Sequence, residues 1–144
     1  MLFEERWRKW EVEKPLKELR HLRQQLYLLE DQVSKNVAGF NLPDNDKKRL
    51  VNRLEPVINQ IWSLETHLDT YVTMGRTRGT QKGIEDVYRS LIRDIGRVRD
   101  TFSSRSNSMV YSSLNQLHGI AYGLEDKTYK TISQNIIGRA KADG

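Results

Sequence analysis

Leu50, Val57, Leu64 and Tyr71 lie seven residues apart, and Leu54, Ile61 and Leu68 interleave with them at the same interval. A seven-residue repeat of this kind lines one side of an α-helix with apolar groups and needs partner helices to cover it. Val51, Ile58 and Val72 widen the stripe, as expected when a helix packs on more than one neighbour. Pro56 falls inside the repeat without disturbing its phase. The expectation is one bent helix through the proline.

Three further seams share this character. Leu19, Leu22, Leu26, Leu29 and Val33 form one, starting from Leu16. Ile84, Tyr88, Leu91, Ile95, Val98 and Phe102 form another across residues 82–102. Val110, Leu114, Leu117, Ala121 and Leu124 form the last, whose phase slips by one to Tyr129, Ile132 and Ile136 through a bend near Gly123. The connections between them are short. Asn36 to Pro43 carries Gly39 and Pro43 as breakers, with Asp44 placed to cap the next helix. Residues 75–82 form a basic, glycine-bearing turn, and serines crowd residues 103–108. Strand-like alternation is absent. The fold class expected is all-α, an antiparallel up-down four-helix bundle. A short N-terminal helix over residues 2–13, bearing Phe3, Trp7 and Trp10, is expected to be set off by Pro15, because proline lacks a donor and clashes with the preceding turn. Either the helix bends there or the tryptophans face a different neighbour.

The 144 residues suit a single domain, 1–144, with its own core. The absence of cysteine removes disulfides and thiolate chemistry. No apolar run approaches the ~18 residues of a membrane span, and the acidic first residues lack a signal-peptide core. A soluble chain is expected on these grounds, with the compartment left open between the cytoplasm and an organelle lumen, since a processed chain would look the same. The net charge of +5 admits an acidic partner without selecting one.

The sequence holds no complete catalytic or metal-binding pattern. Glu18 and His21 have the Glu-x-x-His spacing of a bundle metal site, but His21 points away from its seam and no second copy follows. The serines at 103–113 have no His–acid pair at a recognisable spacing. The turn at 75–82 lacks the phosphate-loop pattern and follows no strand. No enzyme, cofactor or metal is expected.

Two surfaces remain as binding candidates. From Asn107 to Leu124 no residue is charged, and Tyr111, Asn115, His118 and Tyr122 run beside the core seam at spacings of four, three and four. Low charge with enriched tyrosine marks interface centres, and Gly119 and Gly123 would let another backbone approach. Enclosure within the bundle is the alternative. Trp7 and Trp10 pose the same choice between capping the bundle and anchoring a partner. The second candidate is an anion surface made by Arg76, Arg78, Lys82 and Arg89, the basis of an alternative reading as a nucleic-acid-binding bundle. Against it, acids are interspersed: Arg89, Arg93 and Arg97 are expected to pair with Glu85, Asp86 and Asp100.

Trp10 followed by Pro15-Leu-Lys-Glu-Leu-Arg20, and the acid- and lysine-bearing stretch 42–48, resemble the Trp…Pro-Leu-x-x-Leu-Arg helix and following turn of PsbQ-like extrinsic proteins of photosystem II. The likeness spans residues 7–72. It departs in lacking an extended N-terminal arm and in the loop at 36–43. The resemblance implies a four-helix accessory protein in an organelle lumen that stabilises a large complex without doing chemistry. With the uncharged tyrosine face and the tryptophans, it leads to the expected function: a non-catalytic bundle subunit that docks onto a larger protein assembly.

Overall fold

The computed structural model describes residues 3–75, 77–102 and 107–143, with side chains to Ile132. Four helices account for nearly all of it: α1 (Phe3–Ser34), α2 (Asp44–Met74), α3 (Arg78–Thr101) and α4 (Ser108–Asp143). α1 packs on α2 and α4, α3 packs on the same two, and among the described residues the backbones of the diagonal pairs do not come close. The helices therefore stand in a square around one core.

Cross-helix contacts fix their directions. Glu11 and Arg23 of α1 meet Tyr71 and Glu65 of α2. Arg53 and Gln60 of α2 reach Thr101 and Ser90 of α3, while Tyr88 and Arg99 of α3 reach Thr128 and Asn115 of α4. In each pair, rising numbers on one helix meet falling numbers on the next, so neighbours are antiparallel.

The heptad positions of α2 are all buried, from Leu50 through Tyr71, and the helix continues through Pro56 with its phase intact. The α3 seam is likewise buried, with Phe102 just beyond the helix end.

Four expectations need correction. Pro15 does not set off a short helix: α1 is continuous through it. A proline inside a helix costs ~3 kcal/mol, but here Pro15 is buried on the same face as Glu11, Val12 and Leu19, and burial of that face offsets the lost bond. Asp44 is the first helical residue rather than the cap; Pro43 occupies the cap position, and no side chain caps α2. The turn expected at 75–82 is half helix. Gly75, at φ 77°, ends α2, and Thr77 starts α3 with a reciprocal capping box: Thr80 N–H donates to Thr77 Oγ1 at 3.0 Å, and Thr77 N–H donates to Thr80 Oγ1 at 2.9 Å. Finally, the α4 seam does not slip to Tyr129, which is exposed; it continues through Thr128, 1% exposed, to Ile132. Thr128 is tolerated in the core because its hydroxyl donates to the Leu124 carbonyl at 2.8 Å and bonds the Tyr88 hydroxyl at 2.8 Å. Ile136 lies outside the described side chains.

The 36–43 loop closes one end. Asn36, at φ 54°, ends α1 in a left-handed conformation, and Asn36 and Val37 N–H donate back to the Val33 and Gln32 carbonyls at 3.2 and 3.0 Å. This is the Schellman arrangement, with asparagine in the glycine position. It turns Phe40 and Leu42 inward, where both are buried.

Candidate functional site

The first three turns of α1 invert the usual distribution of side chains. Arg8 and Glu11 are buried, while Phe3, Trp7 and Trp10 are exposed, the last by 65%. Arg8 Nε donates to the Val72 carbonyl at 2.9 Å, and the Tyr71 hydroxyl donates to Glu11 Oε2 at 2.8 Å. Among the described residues, Glu11 Oε1 has no hydrogen-bond partner. These contacts, with buried Val12 and Pro15, pin one side of the helix to the end of α2.

The opposite side presents the tryptophans. Their ring centroids are 5.2 Å apart with planes tilted by 35°, within the separation at which aromatic rings attract. Trp10 also borders an open groove of about 790 Å³ between α1 and α2, flanked by Arg6, Lys9 and Arg20 on one side and Asp69 and Thr73 on the other. Farther along, Glu65 accepts from both Arg20 and Arg23, and the Arg23 guanidinium lies 3.5 Å from the Trp62 ring centroid. Trp10 forms an aromatic lip to the groove, and Arg20 links its lining to Glu65.

Reading the sequence as separate helices hid this arrangement. Extending the Leu19 seam backwards by threes and fours reaches Pro15, Val12, Glu11 and Arg8, and that signal would have found it.

The α4 face is built differently. Arg99 of α3 donates to Asn115 Oδ1 at 2.9 Å and to Asp100 Oδ1 at 3.0 Å. The His118 ring lies against Gly96, where an added Cβ would stand 3.4 Å from it. Burial holds the His118 imidazole below its ordinary pKa, and the charge of Arg99 adds to the effect against that of Asp100. Tyr111 is half-buried and also close enough to feel Arg99. Three of the four face residues therefore gather around one arginine of α3. Tyr122 stands apart at 65% exposure, and nothing lies within 4 Å of where a Cβ on Gly119 or Gly123 would be.

The structure does not join the two aromatic sets. Trp7 and Trp10 sit at the end of the bundle holding Gly75, and Tyr111, Asn115 and His118 near the end holding Phe102.

Of the candidate anion contacts, Arg76 lies outside the described residues. Arg78, Lys82 and Arg89 are exposed on α3, with Glu85 and Asp86 between them, and Arg89 is 3.8 Å from Glu85. The other expected pairings are replaced. Arg93 and Arg97 converge on Asp94 at 3.1 and 4.0 Å, and Asp100 pairs with Arg99. Adjacent and i+3 positions meet more easily here because Gln60 of α2 holds the Asp94 carboxylate in place at 2.7 Å. Burial alone would raise the Asp94 pKa, but the bonds from Gln60 and Arg93 and the charges of Arg93 and Arg97 together lower it.

Among the described residues, no three His, Asp or Glu side chains converge as a metal site. His67 is held by its Nδ1, 2.7 Å from the Ser63 carbonyl, and His21 is exposed. No described helix is long and apolar enough to cross a membrane. No family model matches the chain, and neither a curated protein nor a solved structure matches it significantly.

Proposed function

We propose that the chain is a non-catalytic helical-bundle subunit that docks onto a larger protein assembly through the start of α1. One observation supports this reading above the others: Trp7 and Trp10 lie against each other and are exposed on a helix whose other side is pinned by Arg8 and Glu11. Tryptophans already in contact with each other have less conformational freedom to lose when a partner covers them, and tryptophan is enriched at interface hot spots. Covering two such rings supplies about 2 kcal/mol each at ~25 cal/mol per Å². The resemblance of residues 7–72 to PsbQ-like extrinsic proteins adds a large lumenal photosynthetic complex to the assemblies worth testing.

The experiment uses tagged chain as bait in extract of the native source, with the Trp7→Ser/Trp10→Ser variant beside it. The expected result is a defined set of co-purifying proteins lost in the variant, at unchanged helicity and melting cooperativity. A Tyr111→Lys/Tyr122→Lys variant, altered on α4 instead, is expected to retain them. Equal capture by parent and tryptophan variant would overturn the assignment.

A further inference from the structure

Most of the excess positive charge lies on a face of the bundle that the docking surface does not use. The first half of α2 (44–59) and the second half of α3 (89–101) together carry eight basic and five acidic side chains, which accounts for three of the chain's five excess charges. Among the described residues, none of the large apolar side chains that stay exposed belongs to either segment. This part of the surface is basic without being apolar.

Four arginines of these segments form a row. Arg93 and Arg97 lie one turn apart on α3, and Arg53 of α2 donates from Nη1 to Thr101 Oγ1 at 2.6 Å, one turn beyond Arg97. Because α2 runs antiparallel to α3, Arg49 lies a further turn along in the same direction. The row therefore crosses from α3 to α2 at intervals of about 6 Å, the rise of four helical residues. All four side chains are exposed. Two carboxylates stand among them: Asp46 pairs with Arg49 at 2.8 Å, and Asp94 serves both Arg93 and Arg97, at 3.1 and 4.0 Å. Among the described residues Arg53 meets no carboxylate, so two positive charges are left over. Ser90 Oγ accepts from Arg93 Nη2 at 3.1 Å, and Gln60 fixes Asp94 at 2.7 Å. The row is thus held from the protein side, and a guanidinium has more N–H donors than these contacts use. Asp86, exposed two turns before Arg93, marks the end of the row.

The lack of exposed apolar groups selects among anionic partners. A protein partner is anchored by buried aromatic or apolar side chains at the centre of the contact. A bilayer takes up an apolar helix face, and a single strand stacks its bases on aromatic rings. A nucleic-acid duplex asks for none of these, because its bases are already paired and it presents a stiff, regular line of phosphates. Arginine suits phosphate oxygens, which accept its N–H groups in pairs. The interval between the arginines is close to that between successive phosphates of one strand, so a row laid along a strand meets them in register. We propose that this row binds the phosphate backbone of a nucleic-acid duplex without reading its sequence, with Arg53 and Arg97 as the central contacts. The contacts lie toward the far end of α3 from Arg78 and Lys82, and they stand independently of the docking surface at the start of α1.

The test is fluorescence anisotropy of the full chain with short labelled DNA and RNA duplexes and with a single strand of the same sequence, beside sedimentation with phosphatidylserine vesicles. Saturable duplex binding is expected at low salt, with log K falling against log salt at a slope of about −2 to −4, as two to four phosphate contacts give. Arg53→Gln/Arg97→Gln should weaken binding by about tenfold or more and flatten the slope by about 2, with helicity unchanged because both side chains are exposed. Arg78→Gln/Lys82→Gln removes equal charge toward the other end of α3 and should weaken binding by less than about threefold, since distant charges are screened. Asp94→Asn takes a carboxylate out of the row and should tighten binding several-fold, a gain that damage to the fold does not produce. Absence of saturable binding to either duplex at low salt would overturn the proposal. So would equal weakening by the two double variants, or tighter binding to the single strand or the vesicles than to the duplexes.

Discussion

Replacing Glu65 with alanine removes the one acceptor shared by Arg20 and Arg23. The two losses are unequal. The Arg20 side chain is 58% exposed, and a pair of that kind contributes about 0–1 kcal/mol. The Arg23 side chain is 13% exposed and Glu65 is 9% exposed, so the variant leaves a largely desolvated guanidinium without its counter-charge. Breaking a buried pair from one side costs about 3–5 kcal/mol. Two features reduce this figure: the partial exposure of Arg23, and its contact with the Trp62 ring at 3.5 Å, which survives the substitution and retains about 0.5–1 kcal/mol or more. The expected loss is about 2–3 kcal/mol, read by urea unfolding followed by circular dichroism, or a Tm lower by about 4–12 °C. Replacing both partners, Arg23→Met with Glu65→Leu, should come out near neutral, because no charge is then stranded. If Glu65→Ala unfolds within about 0.5 kcal/mol of the parent, the pair is a solvated surface contact and the reasoning fails.

Gly83→Ala should destabilise despite alanine's helix propensity, because its Cβ would stand 2.5 Å from His67 Cδ2, an overlap worth about 1–3 kcal/mol; in a His67→Ala background the same change should stabilise by up to ~1 kcal/mol, and denaturant midpoints decide. Tyr88→Phe should cost about 1 kcal/mol by removing the 2.8 Å bond to Thr128; no measurable loss would mean that this bond contributes nothing net. The His118 pKa is depressed in the folded state, first by burial and then by Arg99, so the fold favours the neutral ring. That contribution is complete above the unfolded pKa of about 6.5 and is lost as the pH falls through the folded value, so His118→Gln should flatten the stability profile in that acidic window.

Much of the architecture was legible from periodicity. The core positions of α2 and α3, and of α4 as far as Leu124, follow a three-and-four spacing that needs no tertiary information. Where the pattern misled, the cause was polar. Thr128 and Tyr129 compete for one core position, and apolar bias favours the tyrosine. The threonine occupies it because Tyr88 and the Leu124 carbonyl satisfy its hydroxyl, a condition set by another helix.

The same distinction governs the start of α1. The sequence by itself determined that four amphipathic helices must cover one another's apolar stripes, that Trp10 lies far from the Leu19 seam, and that no cysteine chemistry is available. Only the tertiary structure decided that α1 runs unbroken through Pro15, that Arg8 and Glu11 turn inward, and that Tyr111, Asn115 and His118 gather around Arg99. The physical reason is that apolar burial follows local spacing, whereas a buried charge or hydroxyl is stable only where a partner from a distant part of the chain meets it. Val72, Tyr71 and Arg99 are such partners, and their positions exist only once the helices have packed.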